Sequence, residues 1–112
     1  MVGPNKSGTI SATGQVNLGP AALKRVSSWL IQFQASTSPA WSGSITIKGA
    51  ATDTANTVIA LGYKGMDTSA VETAAITTND LVLVDSSGVD VQLDCTSYTT
   101  GSMAYTAVPL LG

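Results

Sequence analysis

The sequence predicts an all-β chain folded as a single β-sandwich domain over residues 1–112, of jelly-roll or Greek-key type, with about eight short strands. Three observations carry that expectation. Apolar and polar residues alternate in short blocks, the signature of strands with one buried face. Gly, Ser, Asn and Pro separate those blocks at steady spacing, which is the pattern of sandwiches and barrels. Helical periodicity is nearly absent. The chain has 112 residues, a common size for one domain and enough to bury a core without disulfide staples. No fixed-period repeat, linker or second domain is visible.

The first block is "GTISATGQVNL", residues 8–18. Ile10, Ala12, Val16 and Leu18 alternate with Thr9, Ser11, Thr13 and Asn17. It reads as one half-buried strand with a bulge or bend at Gly14. "PAALKRVSS", residues 20–28, has Pro at a position suited to the first turn of a helix. It reads either as a two-turn helix or as a loop feeding the next strand. In "SWLIQFQAS" Trp29, Ile31, Phe33 and Ala35 share one face, and Leu30, Gln32 and Gln34 the other. "STSPAWSG" is a loop with Trp41 in it or at its exit.

The second half continues the pattern. "SITIKGA" turns Ile45 and Ile47 inward and Thr46 and Lys48 outward, and "NTVIALGY" puts Ile59, Leu61 and Tyr63 on one face. "VETAAITT" is a short strand. "LVLV", residues 81–84, is continuously apolar, so it is either buried on both sides or shielded by a neighbour. "VDVQLDC" alternates strictly. "SMAYTAVPLL" is the last strand, which Pro109 stops or confines to an edge.

Composition narrows the classes of function. The chain carries 5 basic and 7 acidic residues, a net charge of −2. Lys6, Lys24, Arg25, Lys48 and Lys64 form no cluster able to displace phosphate counterions, which argues against nucleic-acid binding. No apolar run approaches the roughly 20 residues of a membrane helix. "MVGPNKSGTISATGQ" has no apolar signal core, so synthesis in a cytoplasm is expected. There is no histidine, which removes the usual neutral-pH base and the commonest zinc ligand. Charged residues make up 11%, less than half the usual share of about 25%. A surface of Ser, Thr, Ala and Gly costs little to desolvate and little side-chain entropy to cover. This points to a chain packed against copies of itself or a partner, the alternative being a monomer kept soluble by hydroxyls.

Residues 80–96, "DLVLVDSSGVDVQLDCT", concentrate the candidate chemistry. Asp85, Asp90 and Asp94 lack the spacing of a calcium loop. Strand alternation instead places Val89, Val91, Leu93 and Cys95 on one face and Asp90, Gln92 and Asp94 on the solvent side. "DSSG" before them is turn chemistry, so the segment reads as a hairpin. Cys95, the single cysteine, falls on the apolar face with no histidine to activate it and cannot form an internal disulfide. No nucleophile elbow occurs, and Glu72 is the sole Glu, with nothing marking a carboxylate pair. "GYKGMD", residues 62–67, lacks phosphate-loop spacing. No enzyme activity, cofactor or metal is expected. Trp41, between "SPA" and "SGS", is the aromatic best suited to an exposed position, where it would touch a partner or glycan. Tyr63, Tyr98 and Tyr105 read as core or interface residues.

"GSITIKGA" followed by "LVLVDSSGVDVQLDCTSYTTGSMAYTAVPL" resembles the small β-sandwich proteins of tailed bacteriophage virions. A strand ends in Asp, an "SGVD" turn follows, and a V-x-L-x-x-T strand leads through "SYTTGS" into a final strand. Val84, Asp85, Gly88, Val91, Leu93, Thr96, Thr99 and Gly101 carry the likeness, which covers residues 43–110. It is a pattern of turns and alternation rather than a chemical motif. It implies a capsid decoration (cement) protein in the virion, bound to the major capsid protein and itself a dimer or trimer. Many weak contacts then add up across the lattice. The partly apolar ends suggest docking arms at 1–7 and 108–112, through Val2, Pro4, Val108, Pro109, Leu110 and Leu111. The rival expectation is a carbohydrate- or receptor-binding module of a phage tail or fibre.

Overall fold

The fold was obtained as a computed structural model and is described for residues 5–18, 26–50, 59–60, 63–65, 71–72, 74–85 and 90–111. The chain is all-β. Its strands are β1 (Lys6–Ile10), β2 (Gly14–Asn17), β3 (Val26–Ala35), β4 (Ser42–Ala50), β5 (Ile59–Ala60), β6 (Tyr63–Gly65), β7 (Val71–Glu72), β8 (Asp80–Asp85), β9 (Asp90–Thr100) and β10 (Met103–Leu111). They form a six-stranded sheet, β1-β10-β3-β8-β6-β7, and a four-stranded sheet, β2-β9-β4-β5. Every pairing between these strands is antiparallel.

This order is that of a jelly roll. The orders β1-β10-β3-β8 and β2-β9-β4-β5 arise when a long antiparallel ribbon wraps on itself, so most steps along the chain change sheet. Eight strands make that framework, as expected. The short β6–β7 ribbon extends the first sheet beyond β8.

The core lies between the inner faces. Trp29, Ile31 and Phe33 of β3, Val82 and Val84 of β8, and Met103, Tyr105 and Ala107 of β10 line one side. Ile45 and Ile47 of β4 with Val91, Leu93 and Cys95 of β9 line the other, and all are buried. The period-two pattern of these segments is therefore the cause of the two-layer packing. Each fully buried Ile, Val, Leu or Phe contributes about 1.5–3 kcal/mol.

Several expectations change. The block at residues 8–18 is two strands, not one. β1 pairs with β10 in the first sheet and β2 with β9 in the second, and Gly14, at φ +142°, opens β2 just after the crossing. Of the segment offered as helix or loop, Val26, Ser27 and Ser28 belong to β3, and residues 20–25 lie outside the described residues. The segment around "DSSG" is not a hairpin. β8 pairs with β3 and β6, whereas β9 pairs with β2 and β4, so the chain changes sheet between them. The apolar faces of β8 and β9 thus oppose each other across the core.

The C-terminal segment is not an arm. Val108, Pro109, Leu110 and Leu111 are the end of β10, paired with Leu30, Trp29, Ser28 and Val26 of β3, with a register shift before Leu111. Pro109 is buried and follows the last β1–β10 pair, Lys6↔Ala107. Among the described residues β10 has a neighbour on one side only there, which suits a residue without an N–H. At the other end Lys6 and Ser7 already belong to β1. Val2 and Pro4 lie outside the described residues.

Candidate functional site

The carboxylates and the thiol of residues 80–96 do not converge. Cys95 is buried, and its Sγ donates to the Ser97 carbonyl at 3.4 Å. Burial raises its pKa above the ordinary 9.0, the Ser97 bond opposes this, and nearby Asp94 adds to the rise. The thiol is held protonated, the reverse of what a nucleophile needs. Asp94 is half-buried on the outer face of β9 and paired with Lys48 of β4 at 2.5 Å. Asp80 accepts from the Leu81 N–H at 2.9 Å, and Asp85 is exposed at the end of β8. Among the described residues no three His, Cys, Asp or Glu side chains group as metal ligands would.

The outer row of β9 differs from a simple solvent row. Gln92 is 2% exposed, although it lies on the face expected to meet water, and its Oε1 has no hydrogen-bond partner among the described residues. Its register neighbours Asn17 and Lys48 flank it on both sides.

Trp41 stands at the exit of the β3–β4 loop, as expected, but it is half-buried rather than exposed. Ser36 organises the loop. Its Oγ donates to the Pro39 carbonyl at 2.6 Å and accepts from the Ser102 N–H at 2.9 Å, while its carbonyl accepts from the Trp41 N–H at 3.0 Å. The Trp41 ring lies over Gly43, where a Cβ would come within 2.7 Å of ring atom Cζ2. It meets Tyr98 with ring centroids 5.9 Å apart and planes at 53°. The Trp41 Nε1 is buried without a hydrogen-bond partner among the described residues. Tyr98 Oη donates to the Gly101 carbonyl at 2.9 Å. Tilted, packed rings make a corner plug, not a flat stacking surface. Tyr63 and Tyr105 are core residues, and Tyr63 Oη donates to the Ala74 carbonyl at 2.6 Å.

The outer face of the six-stranded sheet holds what the sequence reading did not single out. Val108, Leu30 and Leu83 are direct neighbours in one row across β10, β3 and β8. All three are half-buried, and Leu81 beside them on β8 is 40% exposed. The signal was present in "LVLV". Val82 and Val84 take the core, which leaves Leu81 and Leu83 facing away from it.

Fold and surface together define a jelly-roll sandwich with no assembled catalytic group among the described residues and an apolar outer row on one sheet. No protein-family model and no curated protein matches the chain. Among solved structures it is similar to the SPBc2 prophage-derived protein YomS, with a TM-score of 0.66 at 14% identity over 97% of this chain and 96% of that one. The likeness spans both chains almost end to end and is a likeness of fold.

Proposed function

We propose that this chain is a non-enzymatic structural protein of a phage virion, working as a capsid decoration protein on the major capsid lattice. The observation that carries the reading is the outer apolar row on a chain that bears only 11% charged residues. Such a surface is stable when another subunit covers it. The whole-length fold likeness to a prophage-derived protein supports the phage context. Jelly rolls also build both capsids and lectins, so fold alone leaves the alternative of a glycan-binding module open. The tilted, half-buried Trp41–Tyr98 pair weighs against that alternative, because sugar stacking uses exposed ring faces.

The test is co-sedimentation of the purified protein with empty shells assembled from the major capsid protein of the virus that encodes it. Saturable binding at symmetry-related positions is the expected result. Absence of shell binding, together with glycan binding that Trp41→Ala abolishes, would replace this reading with the receptor-module one.

A further inference from the structure

We infer that strand β1 is an exchange arm: in a two-fold homodimer each copy lays its β1 on the β10 edge of the other copy. Among the described residues β1 is paired with β10 alone and is the outermost strand of its sheet. Of its five residues only Ile10 is buried. The strand is thus held by one ladder, Lys6↔Ala107 to Ile10↔Met103, and by little else.

Two features select a second copy as the partner. The first is the fit of β10 to this particular strand. Ile10 is 5% exposed and stands opposite the buried Met103. Gly8 lies against the Tyr105 ring, where a Cβ would come within 2.7 Å of the Tyr105 Oη. A strand with any larger residue at that place would collide with the ring, whereas every copy of this chain carries the matching Gly and Ile. The second is the connection to the rest of the fold. Only Ser11, Ala12 and Thr13 separate β1 in one sheet from β2 in the other, and all three are exposed. Packed sheets lie about 10 Å apart, and the chain from Ile10 to Gly14 reaches at most about 14 Å, so the crossing has little slack. Gly14 takes φ +142° with no atom within 4 Å of an added Cβ, so the path of the chain rather than packing sets that conformation. A short hinge of this kind favours exchange over folding back. The exchanged dimer remakes every β1–β10 pair with the partner's strand and changes the hinge alone, which is a low-cost route to a closed pair.

Nothing in the exchange rests on the virion reading, since a dimer that ignores capsid shells leaves it intact. Sedimentation equilibrium of the full chain should give twice the chain mass. Thr9 and Ala104 are exposed and directly opposite in the β1–β10 register. Opposed residues of antiparallel strands have Cα atoms about 4.5–5.5 Å apart, within disulfide reach. Thr9→Cys combined with Ala104→Cys, oxidised and with the remaining thiols blocked, should run as a two-chain species on a non-reducing denaturing gel. Either cysteine alone should give one chain. A Gly-Ser-Gly insertion after Ala12 in the double variant should shift the disulfide into one chain, because a longer connection lets β1 fold back on its own β10. A monomeric full chain, a one-chain disulfide without the insertion, a two-chain species that the insertion leaves unchanged, or two chains joined through either cysteine alone would each overturn the assignment.

Discussion

Gly101 makes the sharpest prediction. It lies between β9 and β10 with φ +80°, a conformation that residues with a Cβ adopt only at a cost. A Cβ added there would stand 2.6 Å from the Trp41 Cα and 2.7 Å from the carbonyl carbon and oxygen of Ala40. These are backbone atoms that cannot rotate away. Gly101→Ala therefore combines left-handed strain of about 1–2 kcal/mol with overpacking of about 1–3 kcal/mol. The unfolding entropy of a chain this long is about 0.24 kcal/mol/K, so the combined 2–5 kcal/mol lowers Tm by about 9–21 °C. Gly14 is the control, because its φ is +142° but no atom lies within 4 Å of an added Cβ. Gly14→Ala carries the strain alone, a fall of about 4–9 °C. Differential scanning calorimetry of both variants, with tryptophan fluorescence to report the Trp41–Tyr98 corner, is the assay. A Gly101→Ala protein melting within about 2 °C of wild type, or one less affected than Gly14→Ala, would refute the argument.

Four further outcomes follow from individual side chains. Gln92→Met should leave stability unchanged or raise it by up to about 1 kcal/mol in urea unfolding, since it removes a buried oxygen that has no partner and keeps the shape. Tyr63→Phe should lose about 1 kcal/mol by the same measurement, because it removes the hydrogen bond from Tyr63 Oη to the Ala74 carbonyl. Cys95 should react with a thiol reagent only as fast as the protein opens. Burial raises the pKa of Cys95 above 9.0 and of Tyr105 above 10.0. The unfolded chain releases these protons first, so their stabilisation is complete below about pH 8 and is lost as pH rises through 9 and beyond. Tm should be flat in this respect from pH 6 to 8 and should fall above pH 9, less steeply in Cys95→Ala.

Which residues face the core was legible in the sequence. Strand pleat alone turns Trp29, Ile31 and Phe33 to one side, and Val91, Leu93 and Cys95 likewise, and all six are buried. The place of Cys95 on the apolar face was read from the same order of residues, and the structure holds its thiol among apolar neighbours. Which strand pairs with which was not legible. Alternation is a property of one strand, whereas partners are chosen by hydrogen bonds between segments far apart in sequence. β8 and β9 would show the same pattern as a hairpin or, as here, on opposite sheets. The apolar end Val108–Leu111 would likewise suit either a docking arm or the close of a strand, and pairing with β3 made it the latter. Gln92 and Trp41 were misread for a related reason. Exposure depends on what neighbouring strands and loops lay over a side chain, and only the closed sandwich brings Asn17, Lys48, Gly43 and Tyr98 beside them.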